Sequence, residues 1–98
     1  EETEDLNSVI YKVDVLYQTR IQKERFKSEK EYKKFKGCYQ IDGKLVRRMK
    51  AKSIIMHPLP RVGEILPEVD NSPKAVYFKQ ARYGLFIRMA LLKYILKA

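Results

Sequence analysis

The sequence predicts an α/β fold, one part of a doubly wound parallel-sheet domain that ends in a long helix. Three observations carry this. Two short apolar runs, Val13-Asp14-Val15-Leu16-Tyr17 and Ser53-Ile54-Ile55-Met56, have the β-branched character of parallel strands. Helical patterns stand between and after them, which is the order of a crossover-linked parallel sheet. The last stretch, from about Lys74 to Leu96, is too long and too regularly apolar to be anything but a helix.

In chain order, Thr3 can cap a short helix from about Glu4 to Tyr11, with acidic residues in its first turn. Val13–Tyr17 follows and reads as a buried strand. Ser28-Glu29-Lys30-Glu31 has the form of a capping box, and its helix runs to about Lys36, where Gly37 supplies the stop. Tyr39-Gln40-Ile41 is too short to assign. Asp42 caps a helix from about Gly43 to Lys50, whose Leu45, Val46 and Met49 fall on one face. The second strand runs into His57-Pro58-Leu59-Pro60, necessarily a loop, because each proline removes a donor and holds its predecessor extended. Glu64 to Asp70 is loop with a helical turn. Ser72-Pro73 has the cap-then-proline form of a helix start. Gly84 interrupts the last helix at a cost of about 1 kcal/mol against Ala, which a kink or a close helix contact would explain.

The 98 residues suit one small domain, and two strands make a poor sheet alone, so the chain reads as part of a larger unit. With 45% hydrophobic and 34% charged residues it is globular in composition. No apolar run approaches the ~20 residues of a membrane span, and the acidic start Glu1-Glu2-Thr3-Glu4-Asp5 is unlike a secretory signal. A single cysteine, Cys38, fits a reducing compartment and reads as a small half-buried residue near a helix end. One Cys and one His cannot furnish a zinc site, and no glycine-rich phosphate loop or Ser/His/Asp arrangement occurs. The net charge of +9 admits a nucleic-acid-binding module, with Tyr77, Phe78, Tyr83 and Phe86 interleaved among basic residues. The cations are spread along the whole chain, however, and helical spacing points those aromatics to core and interface packing.

Candidate chemistry gathers at the two strand ends, where open α/β sheets bind ligands. Arg20, just past the first strand, can hold a carboxylate through two parallel hydrogen bonds, and Glu24 can reach back to it. Gln22 adds an amide. A solvated, charge-rich turn is the plain alternative. In His57-Pro58-Leu59-Pro60-Arg61 two prolines stiffen a loop whose carbonyls can accept from a ligand amino group. The plain alternative is a rigid turn in which His57 is a satisfied structural partner. On chemistry alone both readings stand.

Four stretches together resemble aspartate carbamoyltransferase. They are Thr19-Arg20-Ile21-Gln22-Lys23-Glu24-Arg25-Phe26, Met56-His57-Pro58-Leu59-Pro60-Arg61-Val62, Ala75-Val76-Tyr77-Phe78-Lys79-Gln80-Ala81 and Arg88-Met89-Ala90-Leu91-Leu92. The resemblance implies that residues 1–98 are a partial aspartate-binding domain, with an α/β segment over about 1–72 and the C-terminal helix over about 73–96. The carbamoyl phosphate domain lies outside this sequence. The implied reaction carbamoylates L-aspartate from carbamoyl phosphate in pyrimidine synthesis, without metal or cofactor, in the cytoplasm. By the same resemblance Arg20 and Gln22 bind aspartate, and Glu24 orients Arg20. Arg25 pairs with the other domain on closure. The backbone of Pro58, Leu59 and Pro60 receives the amino group of carbamoyl phosphate. Arg88 and the last helix pack on the missing domain. Implied partners are two further catalytic chains in a homotrimer and a regulatory or multifunctional assembly. The sister enzyme that uses ornithine has a cysteine-containing loop in place of His57–Pro60. Gly63 stands where the family commonly has an acidic residue. The segment alone is expected to be inactive. A non-catalytic relative that keeps the fold is the remaining alternative.

Overall fold

A computed structural model describes residues 1–98. Two parallel strands, β1 (Val15–Tyr17) and β2 (Ile54–Met56), pair in the register Val15 with Ile54, Leu16 with Ile55 and Tyr17 with Met56. The segment before the last helix adds a third, bridge-length partner on the far side of β2. There the Ile55 N–H donates to the Lys74 carbonyl at 2.7 Å, and the Val76 N–H donates to the Ile55 carbonyl at 3.1 Å. A second bridge joins Ile41 to Ile65.

The helices are α1 (Glu29–Phe35), α2 (Gly43–Arg48) and α3 (Tyr77–Ile95). Their caps follow the local chemistry. Ser28 Oγ accepts from the Glu31 N–H at 3.2 Å, Gly37 leaves α1 at φ +85°, and Asp42 Oδ1 accepts from the Leu45 N–H at 2.8 Å. The amino-terminal helix contracts to a single 3-10 turn, Leu6–Ser8, capped by Asp5 rather than Thr3. Residues Pro67–Asn71 form a further 3-10 turn.

Ile10, Ile41, Leu45, Val46, Met49, Ile55, Ile65, Val69 and Tyr77 form the core, on one side of the sheet. Leu45, Val46 and Met49 are buried together, as their spacing requires.

Three further expectations are corrected. Strand β1 is not buried: Val15 is 47% and Tyr17 52% exposed, because only the Leu16–Ile55 face has a covering layer. Ser72-Pro73 does not start the last helix. Its hydroxyl accepts from the Lys74 N–H at 3.3 Å, but the Lys74 carbonyl and the Val76 N–H are taken by Ile55 across the Ala75 bridge, and α3 begins at Tyr77. Cys38 is exposed rather than half-buried. Gly84 lies inside the unbroken run of α3, and within this chain only the Arg88 side chain comes near it.

Helix α3 stands largely clear of the rest of the chain. Leu85, Phe86, Ile87, Met89, Leu91, Leu92, Tyr94, Ile95 and Leu96 are all exposed. The accessible surface is 8001 Å², against roughly 5800 Å² for a compact protein of 11.6 kDa. The radius of gyration is 16.2 Å, where roughly 13 Å is usual for this length. No helix is long and apolar enough to cross a membrane.

Candidate active site

Parallel pairing of Tyr17 with Met56 makes both strands end at the same edge. The segments that follow therefore leave together and face each other across a cavity of 590 Å³. Thr19 to Gln22, with Arg25 and Phe26, form one wall, and His57 to Pro60 form the other. That volume suits a small polar metabolite or a pair of them. Arg20 and Leu59 thus line one cavity.

The first wall is polar and accessible. The Arg20 guanidinium lies 3.6 Å from Glu24 Oε1, with side chains 45% and 63% exposed, so Glu24 steers the fork without neutralising it. Gln22 precedes a 3-10 turn, Lys23–Arg25, that carries Arg25 back to the cavity. Lys23 pairs with Glu29 at 3.7 Å, whereas Arg25 meets no carboxylate of this chain.

The second wall is built more tightly. His57 is 1% exposed and both ring nitrogens are engaged. Nδ1 accepts from the Leu59 N–H at 2.8 Å, so the ring proton sits on Nε2, which donates to Glu64 Oε1 at 2.7 Å. The His57 N–H donates to Gln80 Oε1 of α3 at 3.0 Å, and Gln80 Nε2 donates to the Tyr17 hydroxyl at 3.0 Å. Leu59 has φ +52° and the Leu59–Pro60 bond is cis. A left-handed conformation disfavours a branched residue by about 1–2 kcal/mol, and the bond to His57 helps hold it. Partial burial raises the Glu64 carboxyl, but the Val62 N–H, its own backbone and His57 outweigh this and hold it below the usual carboxylate range.

Behind this wall Arg61 grips Asp70 bidentately, with Nη2 to Oδ2 at 2.6 Å, and Tyr77 donates its hydroxyl to Asp70 Oδ1. The Arg61 hydrogen bonds depress the Asp70 carboxyl despite some desolvation. Burial, then the bond to Asp70, pushes Tyr77 up to about 12. The guanidinium lies 5.7 and 5.8 Å from the Tyr77 and Phe78 ring centres. No cluster of three or more His, Cys, Asp or Glu side chains is placed to hold a metal ion.

Residues 1–95 match the family model for the aspartate/ornithine carbamoyltransferase Asp/Orn-binding domain. The chain belongs to the aspartate/ornithine carbamoyltransferase family. It is 57% identical over 96 residues to the aspartate carbamoyltransferase catalytic subunit of Thermoplasma volcanium, covering 98% of this chain and 32% of that one. It is 56% identical over 88 residues to the multifunctional protein pyr-3 of Neurospora crassa, covering 90% of this chain and 5% of that protein. Among solved structures, aspartate transcarbamoylase of Trypanosoma cruzi in complex with carbamoyl aspartate and phosphate superposes with a TM-score of 0.78 at 46% identity. The match takes in 92% of this chain and 28% of that one. The chain thus spans about a third or less of the length of the relatives it matches.

Within this member of the carbamoyltransferase family, the site residues read from sequence meet at one place. Arg20, Gln22, Arg25, Pro58, Leu59 and Pro60 all line the cavity, with Glu24 bound to Arg20 from outside it. Arg88 lies apart, on a second, more apolar cavity of 570 Å³ between the bare sheet face and α3. Sequence reasoning left the role of His57 open and missed Glu64 and Gln80. It also missed the triad Arg61, Asp70 and Tyr77, whose members lie 9 and 16 residues from Arg61 and form no local motif.

Proposed function

We propose that this chain supplies the aspartate-binding half of an aspartate carbamoyltransferase. Its partial domain comprises an α/β segment over about 1–72 and a C-terminal helix over about 73–96. The observation that carries the reading is one cavity shared by a forked cation, Arg20, and a stiff double-proline bend. A dicarboxylic amino acid needs a guanidinium for a carboxylate, and a carbamoyl group needs carbonyl acceptors for its NH2. Arg20 grips an aspartate carboxylate, Gln22 hydrogen-bonds the substrate and Glu24 orients Arg20. The carbonyls of Pro58, Leu59 and Pro60 take the amino group of carbamoyl phosphate. The aspartate amine then attacks the carbamoyl carbon. A C–N bond forms, the C–O bond to phosphate breaks, and phosphate leaves as the nitrogen gives up a proton. Positioning and electrostatics supply the rate, with no covalent intermediate on these residues.

The name of the Trypanosoma cruzi complex, which carries carbamoyl aspartate and phosphate, supports these products. The apolar surface left bare on α3 supports a further domain in the functional protein, packed near Arg88, with Arg25 free to pair with it as the site closes. Assembly of catalytic chains as a trimer and work in a reducing cytoplasm complete the reading; the free, exposed Cys38 suits that compartment.

The test is Arg20→Ala in the full-length polypeptide, assayed for carbamoyl-aspartate formation. Loss of a desolvated charged contact costs about 2–5 kcal/mol, so kcat/KM for aspartate falls roughly thirtyfold to several thousandfold. Near-native kinetics would remove Arg20 from the site. The isolated segment makes no product; turnover by it would refute the need for a second domain.

A further inference from the structure

We propose that His57 is a positioning residue that makes the Pro58–Leu59–Pro60 bend an acceptor-only surface and so selects a ligand NH2 over an isosteric group without one. This rests on the reading that the bend receives a carbamoyl group.

The argument is a count of donors. Pro58 and Pro60 have no N–H. The two N–H groups that remain between His57 and Pro60 are both consumed inside the protein. That of His57 goes to Gln80 Oε1 at 3.0 Å and that of Leu59 goes to His57 Nδ1 at 2.8 Å. The stretch bordering the cavity therefore has carbonyl oxygens to offer and no free backbone donor. A carbamoyl NH2 satisfies such a surface. An acetyl methyl of the same size leaves it unpaired, and a site built for a donor discriminates strongly against an analogue that lacks it.

His57 has no ring nitrogen left to offer a ligand. It is buried, Nδ1 is occupied by Leu59, and Nε2 is occupied by Glu64 at 2.7 Å. Glu64 is in turn anchored: its Oε2 accepts from the Val62 N–H at 2.8 Å, and its carbonyl accepts from the Ile41 N–H at 2.8 Å. The imidazole is thus held between a fixed carboxylate and the one amide it must turn away from the cavity. Without that acceptor, Leu59 at φ +52° loses a tether and its N–H is left unpaired beside the cavity that Leu59 lines.

The experiment compares carbamoyl phosphate with acetyl phosphate in the full-length polypeptide, by calorimetric binding and by competition against turnover. His57→Leu removes both ring contacts. His57→Asn keeps an acceptor oxygen near Nδ1 and loses the bond to Glu64. In His57→Leu the Kd of carbamoyl phosphate rises about tenfold or more, the cost of one unmade hydrogen bond, while that of acetyl phosphate moves less than about threefold. His57→Asn restores most of the discrimination. Equal weakening of both compounds, or an unchanged ratio, overturns the proposal. Where His57→Leu does not fold, His57→Asn decides alone, because discrimination lost in a folded asparagine variant contradicts the Leu59 assignment. A wild-type protein that binds neither phosphate overturns the underlying reading instead.

Discussion

Asp70→Asn tests whether the triad behind the cavity holds the start of α3. The aspartate receives two hydrogen bonds from Arg61 and one from Tyr77. Asparagine keeps Oδ1 for Arg61 Nη1 and the Tyr77 hydroxyl. Its second atom becomes an NH2 that faces the Arg61 Nη2 proton, donor against donor, where a 2.6 Å bond stood. One charge-assisted bond, worth about 1.5–3 kcal/mol, is lost together with the ionic attraction. The side chains are 20% and 27% exposed, so water recovers part of this. A net cost of about 2 kcal/mol follows, roughly thirtyfold in the equilibrium for local opening. Amide exchange across Tyr77–Gln80, read by mass spectrometry on the full-length polypeptide, measures it. Since the folded carboxyl is held below its ordinary 3.8, the unfolded state binds the proton more readily. The advantage of wild type over Asp70→Asn therefore stays level from about pH 7 to about pH 5 and shrinks as pH falls below that ordinary value. A difference under about 0.5 kcal/mol, or one that does not narrow in acid, refutes the reasoning.

Ile55→Ala empties the centre of the sheet, where Ile55 is fully buried between β1 and the Ala75 bridge; it costs about 2–5 kcal/mol, seen as a lower urea midpoint, and a loss under about 1 kcal/mol would contradict that placement. Glu24→Gln removes only an exposed 3.6 Å contact to Arg20, worth about 0.2–1 kcal/mol, so the KM for aspartate rises less than about fivefold. An effect matching Arg20→Ala would mean that Glu24 touches substrate itself.

What the sequence carried is what depends on near neighbours. Ser28, Gly37 and Asp42 act on groups within three or four residues, and each does what its side chain or missing side chain dictates. The strand ends were legible for the same reason: apolar runs of three or four residues stop where Gln18 and His57 begin. The start of α3 was misread because a tertiary choice prevailed. Lys74 and Val76 gain two hydrogen bonds with Ile55 by bridging to β2, which offsets a cap at Ser72. Exposure of Val15 and Tyr17 was illegible in principle, since hydrophobicity shows that a face wants cover and not whether cover is near. The bonds from His57 to Glu64 and from Arg61 to Asp70 and Tyr77 depend on how the bend turns at Leu59, and no spacing rule encodes that.

The bend at the cavity is anchored to α3 on both sides. On its amino side the His57 N–H is bound by Gln80, one turn into the helix. On its carboxyl side Arg61 is bound by Asp70 and by Tyr77, the helix's first residue. A helix of 19 residues extends about 28 Å as a rigid rod, and from Leu85 onward this one presents apolar side chains with nothing against them. The position of Pro58, Leu59 and Pro60 is therefore tied to the first turn of α3, and a change at Tyr77 or Gln80 is felt at the cavity.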